Sequence, residues 1–186
     1  MAGIKDFFRK LKELPQRLSN LKVQELLKER QRIKSKHFIP GFIIFTSYNA
    51  KFKENTYDKT PLVLVLKRGT SHTLGLNFHW IPFRMRLKLI KIILKLNKTN
   101  IKQNKPIVFN YGELKPLLKG LGYAPCIRLY INKRFSPSGV IIKPERLLEV
   151  ARLKAETFTQ GRYSAEQLYA KALTAGKKKS KVKKRF

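Results

Sequence analysis

Leu74-Gly75-Leu76-Asn77-Phe78-His79-Trp80-Ile81-Pro82, running on into Phe83-Arg84-Met85-Arg86-Leu87-Lys88-Leu89-Ile90-Lys91-Ile92-Ile93-Leu94-Lys95, changes its hydrophobic period partway along. The part before Pro82 is short and rich in leucine and aromatic residues, and polar residues precede it; residues 74–78 read as a strand. Pro82 suits the first helical position, because its ring fixes φ and its missing N–H would be unpaired there in any case. From that point the period is helical, and residues 82–97 form the clearest helix of the chain. Phe83, Leu87, Ile90 and Leu94 share one face at helical spacing. Arg84, Lys88, Lys91 and Lys95 share another, at steps of four, three and four. A strand that feeds an amphipathic helix with a row of cations on its outer side sets the fold class as α+β.

Working outward, residues 42–48 and 62–67 also read as strands, with Lys67-Arg68-Gly69-Thr70 as the hairpin turn into 74–78. Residues 98–110 read as loop, 113–121 as a short helix closed by Gly120 or Gly122, and 127–131 as an alternating strand. Pro144 opens a helix over 144–157. Ser164 and Gln167 fit a capping box, in which hydroxyl and side-chain amide each satisfy a free backbone N–H, at the start of a helix over 164–173. Residues 4–36 read as a helical arm interrupted at Pro15. The expected organisation is a basic helical arm at 1–37, an α+β core at 38–135 built on a small antiparallel or mixed sheet, C-terminal helices at 136–175, and a disordered lysine-rich tail at 176–186.

Charge decides the class of partner. The chain has 186 residues with 42 Lys and Arg against 11 Asp and Glu, a formal net charge of +31. Self-repulsion on that scale opposes compaction unless an external polyanion screens it, and nucleic acid is the default polyanion. Lysine outnumbers arginine 29 to 13. That bias favours contact with the phosphate backbone over bidentate reading of guanine edges. With hydrophobic residues at 42%, the chain is no simple disordered polycation. The expected nucleic-acid contacts are the stripe Arg84, Lys88, Lys91 and Lys95, then Arg30, Arg32, Lys34 and Lys36 at the end of the arm, and Lys177, Lys178, Lys179, Lys181, Lys183, Lys184 and Arg185 in the tail.

Signals for catalysis are sparse, and the chain reads as non-enzymatic, with no catalytic residue, no metal site and no cofactor. A metal nuclease needs clustered carboxylates, whereas Glu54 and Asp58 are merely near each other in a polar segment that reads as solvated loop. His72 and His79 lack a third ligand, and His79-Trp80 reads as structural or as the lip of a groove. Cys126, the single cysteine, excludes an intrachain disulfide and has no nucleophile signature around it. No segment is apolar enough to span a membrane. Two groups interleave aromatic and basic residues. Tyr48, Phe52 and Tyr57 alternate with Lys51, Lys53 and Lys59, and Tyr123, Tyr130 and Phe135 flank Arg128, Lys133 and Arg134. Such segments can stack unpaired bases while the cations follow the backbone, although aromatic residues of this kind also build cores.

The strings Tyr57-Asp58-Lys59-Thr60-Pro61-Leu62-Val63-Leu64 and Leu74-Gly75-Leu76-Asn77-Phe78-His79-Trp80-Ile81-Pro82 resemble a module of tailed-bacteriophage virion proteins. In that module an aromatic-Asp-x-x-Pro-Leu-Val strand leads to a Leu-Gly-Leu-Asn-Phe-His-aromatic-x-Pro strand and an arginine-bearing helix. The resemblance covers about residues 43–131 and is to the DNA end protector family. It implies a structural protein of the virion, made in the host bacterial cytoplasm. Such a protein binds the ends of packaged DNA without sequence preference, blocks exonuclease, and sits near the head–neck opening beside portal or neck proteins. From the residues alone, a ribosomal-type RNA-binding protein and a nucleic-acid-processing enzyme such as a nuclease stay open as alternatives.

Overall fold

The computed structural model describes residues 25, 28–34, 38–51, 56–103, 105 and 107–183. Among them, six strands form one antiparallel sheet: β1 (Gln31–Arg32), β2 (Ile43–Tyr48), β3 (Leu62–Arg68), β4 (His72–Asn77), β5 (Ile127–Ile131) and β6 (Phe135–Ile142), in the order β1-β6-β2-β3-β4-β5. The chain is α+β, as its period change predicts.

This order forces the sheet to curl. β5 and β6 lie on opposite sides of the β2–β3–β4 meander, yet only the 3₁₀ turn Asn132–Arg134 joins them. A flat sheet would separate them by four strand spacings, about 19 Å. The four residue steps from Ile131 to Phe135 reach at most about 14 Å even when fully extended. Register shifts at Thr46/Tyr48 and at Val65/Lys67 supply part of the curvature. Gly75 and Gly139 supply space for it. A Cβ at Gly75 would collide with the Val63 side chain and press on the Tyr130 ring, and one at Gly139 would lie 2.7 Å from Thr46 Cβ. As a result the ends of β2, β5 and β6 meet. The Tyr48 ring stands 5.1 Å from Tyr130 and 5.0 Å from Phe135.

Both faces of β3 are buried, which is why Leu62-Val63-Leu64-Val65-Leu66 is apolar throughout rather than alternating. Leu62, Leu64 and Leu66 join the main core with Ile43, Phe45 and Leu76. Val65 packs with Ile44 and Ile33 in a small cluster on the other face. The main core is closed by α1 (Phe83–Leu96), α3 (Tyr111–Gly120) and α4 (Leu147–Ala151), with α2 (Lys98–Lys102) between the first two.

The helix α1 is rotated relative to the expected face. Leu89, Ile90, Ile93 and Leu94 are buried together with Arg86, whereas Phe83 and Leu87 are half-buried at the margin. Apolar residues cover so wide an arc of this helix that spacing alone does not locate its centre. Leu89, not Leu87, is therefore where a side-chain truncation reaches the core.

Other differences have local causes. The region expected to be C-terminal helices begins as strand β6, which fills the gap between β1 and β2. The 144–157 segment is not one helix but a 3₁₀ turn (Pro144–Arg146), α4 and a second 3₁₀ turn (Ala155–Thr157), because the carbonyls of Ala151 and Leu153 turn inward to Arg86 instead of continuing a helix. Gln31–Arg32 is strand where the arm was expected to be helical, held by the Ile33 amide on the Pro137 carbonyl at 2.7 Å. Lys98–Lys102 is helical within the expected loop. The capping box is present: the Gln167 amide donates to Ser164 Oγ at 3.2 Å and the Ser164 amide to Gln167 Oε1 at 2.9 Å. The helix it opens, α5 (Ala165–Lys183), runs past 173 into the lysine run, where the sequence reading places a disordered tail.

Candidate nucleic-acid interface

The cationic stripe lies where its spacing puts it. Arg84, Lys88, Lys91 and Lys95 are all exposed on α1. At about 100° per residue the four fall within a sector of about 60°. Arg86, Leu89 and Ile93 mark the opposite sector and are buried. The core thus fixes the helix about its axis and commits the four cations to solvent along about 16 Å, a length that matches several phosphates of one strand.

Arg30, Arg32 and Lys34 do not join this row. They are exposed beside β1 at the far edge of the sheet. Ile33, between them, belongs to the small cluster rather than to the core beneath α1. Lys36, Lys184 and Arg185 lie outside the described residues, as do the side chains of Lys177, Lys178, Lys179, Lys181 and Lys183.

The polar residues of the module come together inside the fold rather than on its surface. Asp58 Oδ2 accepts from Asn77 Nδ2 and from His79 Nδ1, both at 2.9 Å, since a carboxylate only accepts. Asn77 Oδ1 in turn takes the His79 amide at 3.0 Å, and Asp58 Oδ1 takes the Thr60 amide at 3.2 Å. The His79 ring is fully buried and stacked on Phe158 at 4.6 Å. This corrects the surface reading of Asp58, which is not a solvated loop carboxylate, and of the two readings of His79 it bears out the structural one. Glu54 lies outside the described residues.

Arg86 is the second buried device. Its Nε donates to the Ile81 carbonyl at 2.7 Å, its Nη1 to Ala151 and Leu153 at 3.2 and 2.5 Å, and its Nη2 to His79 at 3.4 Å. Burial pushes its pKa down to about 10, with Glu166, Glu156 and Asp58 opposing, so the guanidinium stays charged at neutral pH. One side chain therefore ties the strand exit at 79–81 to the segment 151–153. Sequence reasoning missed it among so many cations. The available signal was its phase, since Arg86 sits between the apolar positions and away from the stripe.

Cys126 is also buried. Its thiol donates to the Trp80 carbonyl at 3.1 Å, and burial pushes its pKa up to about 12, against the pull of Arg128 and Arg86. A thiol in that state is a poor nucleophile at neutral pH. Among the described residues no group of three or more His, Cys, Asp or Glu could hold a metal ion, and no helix is long and apolar enough to cross a membrane.

The two aromatic–basic segments converge at the curled end of the sheet. A hollow of about 980 Å³ is lined by Tyr48, Tyr57 and Phe135 together with Lys59, Lys133 and Arg134. A second hollow shares Tyr48 and Tyr57 and adds Lys51, Arg128 and Lys171. Of the flanking aromatics, Tyr123 and Tyr130 are core residues, whereas Tyr48, Tyr57 and Phe135 are half-buried. Phe52 and Lys53 lie outside the described residues.

Comparison with known proteins gives one result that bears on this surface. A family model described as Phage T4 terminal DNA protecting protein matches residues 10–172, a span that includes the whole sheet, α1 and the whole lining of the first hollow and stops short of the lysine run. No curated protein and no solved structure matches the chain.

Proposed function

The chain belongs to the phage T4 terminal DNA protecting protein family, and from that premise we propose that it coats the ends of phage DNA through an exposed row of cations, excluding exonuclease by occupancy rather than by chemistry. The observation that carries this reading is the α1 stripe. Arg84, Lys88, Lys91 and Lys95 point to solvent from a helix whose opposite side is locked into the core. A row of three lysines and one arginine on a fixed helix suits a phosphate backbone and favours backbone contact over the reading of base edges. Arg30, Arg32 and Lys34 add exposed charge beside β1, and the lysine run from Lys177 to Arg185 adds further cations to the chain; both would widen the contact. The site of action on this reading is the virion, on packaged DNA near the head–neck opening, with portal or neck proteins as neighbours. The reading is protective rather than catalytic, in keeping with an imidazole and a carboxylate committed to each other in the interior.

The double reversal Lys88→Glu/Lys91→Glu tests the stripe. Both side chains are exposed, so the thermal midpoint should stay within a few degrees of wild type. Loss of two phosphate contacts should make the slope of log affinity against log salt shallower by about 2. An unchanged slope in a folded double variant would remove α1 from the interface.

A further inference from the structure

We propose that the hollow at the curled end of the sheet takes unpaired nucleotides at the DNA terminus, with a base against Tyr48, Tyr57 and Phe135 and phosphates on Lys59, Lys133 and Arg134. This rests on the end-protection reading and adds to it a subsite distinct from the α1 row.

The argument starts from what the two surfaces offer. The α1 stripe presents charge alone, and charge alone serves any stretch of duplex equally. The hollow presents aromatic rings among cations. A ring gains little from a phosphate backbone, and a paired base already has both its faces stacked. An unpaired base has a free face, and stacking it on an aromatic side chain contributes substantially without regard to sequence. The end of a DNA molecule is where such bases occur.

The hollow is assembled rather than accidental. Its six functional side chains come from three separate stretches of chain, around 48, 57–59 and 133–135, brought together because the turn Asn132–Arg134 has to bridge the two flanks of the curled sheet. The rings are held in place. The Tyr48 hydroxyl accepts the Ile131 amide at 3.1 Å, and the Tyr57 hydroxyl donates to the Tyr48 carbonyl. Phe135 lies 5.0 Å from Tyr48. Arg134 Nη1 donates to the Asn49 carbonyl at 3.1 Å, which fixes the guanidinium beside the rings. The other residues around this hollow are Ser47, Asn49, Thr60, Ser136 and Gln160, so its described lining contains no carboxylate. The volume of about 980 Å³ lies at the upper end of the roughly 300–1,000 Å³ typical of small-molecule sites, ample for a base with its sugar and phosphate.

The experiment uses the full chain and two probes. One is a short duplex with a single-stranded overhang that carries 2-aminopurine. The other is the same duplex closed at both ends by non-nucleotide linkers, which offer no unpaired base, with 2-aminopurine in the stem. The overhang probe should bind more tightly than the closed probe by on the order of tenfold to a hundredfold, the range that stacking one base supports. Its fluorescence should be quenched on binding, while that of the closed probe should not. In Lys59→Glu/Lys133→Glu, where both residues are exposed, the quench and most of the preference should disappear with the thermal midpoint unchanged. Salt-sensitive binding to both probes, with neither quench nor preference, would overturn the subsite and leave the α1 reading intact. A preference and quench that survive the double reversal would place end recognition elsewhere and overturn it equally. Binding to neither probe would overturn the end-protection reading and this subsite with it.

Discussion

Arg86→Met should destabilise the protein by about 3–5 kcal/mol, a large share of the roughly 5–15 kcal/mol by which domains are typically stable. Arg86 makes four hydrogen bonds from one guanidinium to the carbonyls of His79, Ile81, Ala151 and Leu153. Methionine fills much of the volume but donates nothing, and each buried carbonyl left without a partner costs about 1–3 kcal/mol. Part of this is recovered, because the wild-type protein bears the desolvation of a buried cation. Arg86→Lys should recover little, since an ammonium cannot span carbonyls on both sides of the site as the planar fork does. Urea unfolding of both variants checks this. A loss below about 1 kcal/mol in Arg86→Met would mean that segment 151–153 docks without its clamp.

The Arg86 clamp also shows where sequence reading stops. Its neighbours were legible. The period change at Pro82 places the helix, the steps between Arg84, Lys88, Lys91 and Lys95 give its outer face, and Ser164 with Gln167 gives the start of α5. These are short-range signals, set by helical geometry and local hydrogen bonding. Arg86 itself is chemically indistinguishable in sequence from the other cations, and its role depends on carbonyls that lie 65 and 67 residues away. Asp58 and His79 are 21 residues apart and become partners only when the segment before β3 crosses the exit of β4. Strand β6 was missed because Phe135-Ser136-Pro137-Ser138-Gly139 carries turn residues. Pro137 is tolerated there because β1, its partner at that edge, is only two residues long, and Gly139 is needed because Thr46 leaves no room for a side chain. The convergence of Tyr57 and Lys59 with Lys133, Arg134 and Phe135 follows from the same curl. The sequence supplies each aromatic–basic segment, and the closure of the sheet makes one hollow of them.

DNA affinity should fall by about 10³ or more between 50 and 200 mM salt. The α1 stripe offers four phosphate contacts and the hollow three more. Each contact releases counterions, and seven contacts give a slope of about −6 in log affinity against log salt. Over a fourfold rise in salt that amounts to nearly four decades before competing contributions. Affinity should depend little on sequence, because lysine rows meet phosphates and not base edges. A titration series on duplexes with single-stranded overhangs and differing composition, which engage both surfaces, measures both properties. A flat salt response would show that association is not driven by phosphate contacts, and the surplus of cations would need another partner.

Protection of the ends themselves is the most direct test. A linear duplex labelled at one terminus is mixed with saturating protein at low salt and then exposed to an exonuclease. The wild-type chain should preserve the label, while Lys88→Glu/Lys91→Glu, folded to the same thermal midpoint and used at the same concentration, should leave the terminus open to digestion. If the wild-type protein binds the duplex and its ends are still degraded at the rate of free DNA, the protein coats DNA without guarding it, and the central claim fails.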